Sequence, residues 1–187
     1  MHHSIRLYSH HREGILKVYM FFASWTRIPL LGRLVRRVAN AYGRNMEGGY
    51  LLTPQEAEQV VDLAVGVAVG PCTCRTVFRN CDNPIDVELL LGPTRHIFTE
   101  HMPDDSREIS KEEAKEILRD CHRRGLIHTI IKCRQDYYAI CNCCNCCCVP
   151  LRLSKEYGIG HALVRNENIV RMFQETQREA AASEEPD

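Results

Sequence analysis

The chain has 187 residues, of which 44 % are hydrophobic and 26 % are charged, values ordinary for a soluble globular protein. This length allows one domain with a hydrophobic core, and such a core argues against a metallothionein-like metal store. The formal net charge is zero, yet residues 1–45 carry eight basic side chains against the single acid Glu13. A basic arm on an acidic body predicts an anionic partner surface for the arm.

The eleven cysteines are odd in number, and several of them are adjacent in sequence. Neighbouring cysteines rarely meet disulfide geometry, so a secreted disulfide scaffold is disfavoured. The early apolar run at residues 18–25 lacks a signal-peptide cleavage site and is too short to span a bilayer. The sequence therefore predicts reduced thiols and a cytoplasmic location, with membrane association as an addition if the arm binds lipid.

The predicted arm covers residues 1–49. Helical periodicity runs through residues 14–43 in two pieces that meet at Pro29, and the glycines at 43, 48 and 49 indicate a linker. Two interpretations stand: the second helix packs on the body with solvated arginines, or residues 27–44 bind a membrane surface or an acidic protein. The apolar face of this helix consists of Leu30, Leu31, Leu34, Val35, Val38 and Ala39, and the basic face of Arg33, Arg36 and Arg37.

The predicted body covers residues 50–165, followed by a C-terminal helix and acidic tail at 166–187. A helix begins at Thr53 with a capping box to Glu56, and a short strand at 66–70 leads into Cys72. A second helix is capped by Ser110, with Glu113 as its capping-box partner, and ends at Gly125. Residues 126–131 and 136–140 predict a hairpin that leads into a run of cysteines. The fold class is therefore α+β, with helices packed on short strands and two cysteine-rich loops at one end.

Nine of the cysteines fall into two dense groups. Closely packed thiolates repel one another and select soft or borderline metals, and an iron–sulfur cubane takes about four of them. Iron–sulfur binding, with one or two clusters, is the favoured prediction. Arg75 is placed to offset cluster charge, and Asn142 and Asn145 are placed to donate hydrogen bonds to cluster sulfurs. The predicted metal ligands are Cys72, Cys74 and Cys81 in the first group and Cys141, Cys143, Cys144, Cys146, Cys147 and Cys148 in the second.

Other readings of the cysteines are open. Structural zinc sites favour pairs of cysteines separated by two residues, a spacing found here within the denser run, so zinc is the main alternative. Cys121 lies on the apolar stripe of its helix and is predicted to be a buried hydrophobe. Cys133 is predicted to be a core residue or a neighbour of the metal ligands. Nucleic-acid binding is not expected, because the helix at 111–124 mixes acidic with basic side chains.

Three segments together resemble a group of ferredoxin-like iron–sulfur proteins of anaerobic and sulfur-metabolising bacteria and archaea. These segments are Gly70-Pro-Cys-Thr-Cys-Arg75, Cys81-Asp-Asn-Pro84 and Ile140-Cys-Asn-Cys-Cys-Asn-Cys-Cys-Cys148. The resemblance covers about residues 50–153. It implies binding of [4Fe–4S] clusters and one-electron transfer in an anaerobic redox system, with a redox protein as partner.

The chain departs from that group at two points. Where members have a further cysteine, this chain has Glu88, so the ligand is either Glu88 or a thiol of the second group, or that cluster is labile or missing. Many members also continue into a two-cluster ferredoxin domain, which is replaced here by a short helix and tail. A second redox centre would then have to come from a partner. A non-enzymatic electron carrier or redox subunit is favoured; a zinc-stabilised interaction or regulatory protein and an iron–sulfur enzyme with an open ligand site are the alternatives.

Overall fold

A computed structural model of the chain describes residues 3–45, 47–92, 95–101, 105–133 and 136–182. The fold is α+β, as predicted, with a seven-stranded mixed sheet in the order β4-β2-β3-β6-β5-β1-β7 and helices on both faces. The strands are β1 (Glu47–Leu51), β2 (Val67–Pro71), β3 (Asp86–Leu91), β4 (Arg107–Ile109), β5 (Ile127–Cys133), β6 (Asp136–Cys143) and β7 (Leu163–Arg165). The helices are α1 (His3–Ser24), α2 (Leu31–Asn45), α3 (Pro54–Leu63), α4 (Thr73–Phe78), α5 (Arg95–His101), α6 (Lys111–Arg123), α7 (Val149–Tyr157) and α8 (Ile169–Ala182).

Strands β2 and β3 are buried on both faces, and their paired segments Val67–Val69 and Leu89–Leu91 are accordingly apolar throughout. In β3, Leu89 and Leu91 face a core shared with α3, α6 and α8, whereas Leu90 faces the opposite layer with Ile97 of α5. The C-terminal helix belongs to the first layer, since Ile169 and Phe173 are fully buried there. The helices thus sandwich the sheet and leave the ends of its strands open for a site.

Local signals explain where the predicted helices begin. The Thr53–Glu56 capping box is present in full, with both reciprocal hydrogen bonds. At α6 the Ser110 hydroxyl accepts from the Glu113 backbone N–H, but the Glu113 carboxylate pairs with Arg107 instead of completing the box. That half of the prediction was wrong, because an arginine on the adjacent strand offers the carboxylate a charged partner.

The predicted linker glycines at 48 and 49 lie within β1, which pairs antiparallel with β5 and parallel with β7. A Cβ at Gly49 would come within 2.9 Å of Leu163 Cδ1 and 3.1 Å of Ile131 Cδ1, so neighbouring side chains pack closely over this strand position. The linker prediction was wrong, because Gly48 and Gly49 pair with β5 as part of a strand and Gly43 lies within α2.

The arm consists of α1, a 3₁₀ turn at Trp25–Arg27 and α2, with the break near Pro29 as predicted. The elbow is held by hydrogen bonds: the Thr26 hydroxyl donates to the Ala23 carbonyl, and the Arg36 guanidinium donates to the Thr26 carbonyl at 2.8 Å. Gly32 packs so closely on the Thr26 carbonyl that a Cβ would lie 2.1 Å from that oxygen. The two helices therefore meet at a fixed angle.

Candidate metal centre

The cysteine segments meet because three neighbouring strands end or begin at the same edge of the sheet. Strand β2 runs directly into Cys72, and its last residue pairs with Asp86 at the start of β3. Strand β6 runs antiparallel to β3 and carries Cys141 and Cys143 at its C-terminal end. Because β3 is antiparallel to both β2 and β6, the C-terminal ends of β2 and β6 lie on either side of the start of β3. The two segments that hold the nine predicted ligands therefore meet there.

Four thiols form a tight cluster, here named the compact set: Cys81, Cys144, Cys146 and Cys147. Their sulfur atoms all lie within 4.8 Å of one another. The Sγ of Cys81 is 3.7 Å from that of Cys144 and 3.8 Å from that of Cys147, which is in turn 3.8 Å from the Sγ of Cys146. A tetrahedron of sulfurs around one ion, with bonds of about 2.3 Å, has edges of about 3.8 Å. The compact set therefore has the dimensions of a single-ion thiolate site.

The other five predicted ligands form a looser cluster, here named the pocket set: Cys72, Cys74, Cys141, Cys143 and Cys148. The side chain of Cys143 hydrogen-bonds to those of Cys141 and Cys148, and Cys148 also bonds to Cys74. Among the described residues, no three thiols of this set come within 4.8 Å of one another. They surround a cavity of about 70 Å³ that Cys144 and Cys147 of the compact set also line.

This division differs from the grouping along the sequence. Cys81 belongs to the first cysteine segment, yet its sulfur joins three thiols of the second run. Conversely, Cys72 and Cys74 join thiols of the second run around the cavity. Each candidate centre therefore draws ligands from both segments, so that metal binding would fasten the loop after β2 to the loop after β6.

Two backbone N–H groups and the side chain of Asn83 donate hydrogen bonds to the sulfurs; backbone donors in the cysteine loops were expected from the sequence, and Asn83 was not. The Asn80 backbone N–H donates to Cys147 Sγ at 3.3 Å, and the Asn83 amide donates to Cys81 Sγ at 3.4 Å. The Val149 N–H, at the start of α7, donates to Cys74 Sγ at 3.4 Å. Such donors stabilise thiolates and tune a bound metal. Asn83, two residues after Cys81, was a usable signal, since asparagine is a short and frequent side-chain donor in loops.

Without a bound cation, the thiols of the compact set differ in pKa. Burial opposes ionisation of Cys81, but the backbone N–H and the amide of Asn83 lower the pKa of this thiol to about 6. Burial raises the pKa of Cys147 to about 11, and burial with hydrogen bonds to neighbouring thiols raises the pKa of Cys146 as well. The Cys81 thiolate thus sits beside Cys146 and Cys147, whose raised pKa values keep them protonated at neutral pH. A bound cation would replace their protons, because metals bind the thiolate form.

Arg75 lies between the two sets and is almost completely buried. Its guanidinium donates to the carbonyl oxygens of Pro84 and Asn142. Burial alone would lower the pKa of Arg75, but the thiols of Cys72 and Cys144 raise it. A guanidinium held in this way stays charged, so it can offset negative charge on either thiolate set. This position is in keeping with the role that the sequence analysis predicted for Arg75, which remains a prediction.

Asn142 is buried next to the thiols, and its side chain has protein partners. The amide nitrogen donates to the Val87 carbonyl at 2.7 Å, which directs the amide oxygen toward His128. His128 Nδ1 lies 2.7 Å from that oxygen and must therefore carry the proton. Burial lowers the pKa of His128 and favours the neutral ring. The side chain thus bridges β3, β5 and β6; donation to a cluster sulfur stays a prediction.

The remaining predicted residues lie outside the two sets. Asn145 is exposed, and its amide oxygen accepts a hydrogen bond from Lys155 at 2.7 Å. Cys121 is fully buried in an apolar cluster with Val87, so its prediction as a core residue is confirmed. Cys133 is buried at the turn end of the β5–β6 hairpin, whereas Cys143 lies at the opposite end of that hairpin.

Glu88, which stands where members of the ferredoxin-like group have a further cysteine, lies on the wall of the cavity. Its Oε1 is 3.8 Å from Cys141 Sγ, and its Oε2 is 3.4 Å from the Arg12 guanidinium. Burial raises the pKa of Glu88, and the nearby Arg12 opposes that rise. Whether Glu88 itself binds metal stays a prediction; one of its two carboxylate oxygens already has a cationic partner.

The four thiols of the compact set lie at metal-binding distance from one another, an arrangement compatible with a metal-binding protein. In the part of the chain that the structure describes, no helix combines the length and apolar character needed to cross a membrane. Models of known protein families, curated proteins and solved structures were each compared with this chain, and none of them matches it.

Proposed function

We propose that this chain is an iron–sulfur protein that takes part in one-electron transfer. The observation that carries the proposal is the cavity whose wall includes seven cysteines contributed by both cysteine segments. Thiolate ligands in this number match the chemistry of iron–sulfur clusters, which cysteines hold in sets of four. When bound, the cluster would supply the electron chemistry, while the protein supplies its position and electrostatic environment.

The pocket set supports a cluster because it surrounds a cavity and because no three of its described thiols share the mutual spacing of a single-ion site, although neighbouring members hydrogen-bond to one another. Each thiolate of a cubane binds a different iron atom, so the ligand sulfurs lie further apart than around a single ion. Cys72, Cys74, Cys143 and Cys148 are the proposed ligands. Cys141 and Glu88 are then left beside the cluster, where a thiol or carboxylate could exchange with one ligand. The resemblance to ferredoxin-like proteins also favours a [4Fe–4S] cluster, with a separate redox protein as partner, but it does not assign individual thiols to that cluster.

The close spacing of the compact set favours a second candidate function at that position. Four sulfur atoms within 4.8 Å of one another, with three of the separations at 3.7–3.8 Å, suit one tetrahedral ion, either structural zinc or a single iron. A zinc ion held by Cys81, Cys144, Cys146 and Cys147 would stabilise the loops without exchanging electrons. A zinc-stabilised interaction protein would have that ion and no cluster.

The decisive experiment measures iron, zinc and acid-labile sulfide per chain in protein purified without oxygen. The proposal expects iron and sulfide in nearly equal amounts, together with broad visible absorption, and it allows one further ion. Zinc without iron or sulfide would refute the proposal and support the second candidate. Electron paramagnetic resonance of the reduced protein, with and without candidate substrates, then separates an electron carrier from an enzyme with an open iron site.

A further inference from the structure

The arm presents an exposed apolar tip where α1 turns into α2. Phe21 and Phe22 are exposed on α1, and their rings pack edge to face on the ring of Trp25. Ile28 is also exposed, and Leu30 is 85 % exposed. Leu30 has a φ of +66°, a left-handed conformation that non-glycine residues adopt at a cost. The hydrogen-bonded elbow thus presents a leucine to solvent in a fixed position.

An apolar groove continues from this tip between α1, α2 and the body. It has a volume of about 520 Å³, and its lining includes Phe22 of α1 and the side chains of Leu34, Val38 and Tyr42 on α2. These residues are between 41 and 61 % exposed. One interpretation of the sequence was that the apolar face of α2 packs on the body. For Leu34 and Val38 it was wrong, because both side chains are exposed. A face of this extent is unusual on a soluble surface and indicates an interaction site.

The charge of the arm selects the partner. Helix α2 contains four arginines and no acidic residue. Arg33, Arg37 and Arg44 are exposed, and Arg27 is exposed close to the tip. Arginines beside exposed aromatic and leucine side chains are typical of segments that lie in the interface of an anionic membrane.

We propose that the α1–α2 arm docks on an anionic phospholipid surface, with Phe21, Trp25 and Leu30 inserted among the acyl chains. A partner helix seated in the groove would cover Leu34 and Val38, but it would leave Phe21, Ile28 and Leu30 in water. A bilayer accommodates both the tip and the rim of the groove in one contact. On this proposal the arm lies along the membrane surface, with its exposed arginines at the level of the lipid head groups. This inference stands independently of which metal the thiols hold.

The test uses the full chain and vesicles of phosphatidylcholine, with or without phosphatidylglycerol. Trp25 is the single tryptophan of the chain, so its fluorescence reports the tip directly. We expect cosedimentation with the anionic vesicles, a blue shift of Trp25 emission, and quenching by lipids brominated on the acyl chain. The Arg33→Gln/Arg37→Gln variant should bind anionic vesicles about 5-fold more weakly for each arginine removed. Phe21→Ser/Leu30→Ser should reduce binding roughly 10-fold or more and remove the bromine quenching.

Two matched variants on the body serve as controls. Val65→Ser removes an apolar side chain that is 71 % exposed at the end of α3, and Arg178→Gln removes an exposed arginine of α8. Both should bind vesicles as the unaltered chain does. Circular dichroism and metal content show whether each variant remains folded. Absence of vesicle binding, or equal loss in the body variants, would overturn the proposal. Self-association of the unaltered chain through Phe21 and Leu30 without vesicle binding would do so too, and would assign the face to a second copy.

Discussion

Arg12 and Glu88 form a buried ion pair between the N-terminal arm and the wall of the thiol cavity. The Nη1 of Arg12 lies 3.4 Å from Oε2 of Glu88, and the other terminal nitrogen donates to the Pro71 carbonyl at 3.1 Å. Both side chains are less than 10 % exposed. The pair thereby links α1 to the ends of β2 and β3, where the cysteine segments begin.

Removing one member of this pair should loosen the arm. Arg12→Leu leaves the Glu88 carboxyl buried without its cation, so the free energy of unfolding should fall by about 3–5 kcal/mol, less where the carboxyl takes up a proton. The double variant Arg12→Leu/Glu88→Leu should lose less, because neither charge is left alone. Chemical denaturation measures both. Equal losses in the single and double variants would show that the pair does not couple the arm to the body.

The two thiol sets should lose metal separately. Cys81→Ser removes a ligand of the compact set and should weaken metal binding there more than about 100-fold, beyond the usual effect of outer-shell changes. Cys72→Ser should instead reduce the iron and sulfide proposed for the cavity. Cys133→Ser, at the far end of the hairpin, is the matched control and should keep its full metal content. Loss of all metal in either ligand variant would mean that the nine thiols hold a single centre.

Metal retention should depend on pH because protons compete for the thiolates. The pKa of Cys81 is about 6, whereas that of Cys147 is about 11, so metal binding at neutral pH must displace protons. Affinity measured with a competing chelator should therefore rise with pH and fall as the solution becomes acidic. Asn83→Ala removes a donor to Cys81 and should raise the pKa of this thiol, shifting the loss of metal to higher pH. An unchanged pH profile in Asn83→Ala would argue against that hydrogen bond.

Arg75 should matter for stability as well as for charge. Arg75→Met would leave the carbonyl oxygens of Pro84 and Asn142 buried without a donor and would remove the cation between the thiol sets. We expect a loss of about 2–4 kcal/mol in the free energy of unfolding and weaker metal binding. Arg119→Met, which removes an exposed ion pair with Glu58, should cost at most about 1 kcal/mol. Comparable losses in the two variants would contradict a special role for Arg75.

His128 should add a pH dependence to folding. Burial depresses its pKa below the unfolded value of about 6.5, so the unfolded chain binds the proton more readily than the folded chain. The neutral His128 ring therefore contributes to the free energy of unfolding above about pH 6.5, and this contribution is lost as the pH falls from there toward the lower pKa of the folded state. His128→Gln should flatten this dependence, although it also weakens the bond to Asn142. The measurement is the free energy of unfolding of the unaltered chain and of His128→Gln, at matched metal content, between about pH 5 and 8. The two pH dependences are then compared.

Local features were well predicted because their causes lie within a few residues. The Thr53 box, the Ser110 cap and the break near Pro29 depend on backbone geometry that neighbouring side chains decide. The helix at Val149–Tyr157 was not predicted, since it follows the cysteine run directly and has few apolar positions of helical spacing. Strand β1 was missed for a related reason: its glycines indicate a linker unless the close packing of Leu163 is known.

The sequence by itself determined that nine thiols lie in two segments, that soft metals suit them, and that a basic apolar arm precedes them. Which thiols belong together was decided by the tertiary structure. The antiparallel register of β2, β3 and β6 brings both segments to one edge of the sheet, and there Cys81 joins Cys144 rather than Cys72. Distances between sulfurs depend on strand pairing across many residues, a long-range interaction that spacing along the chain does not encode.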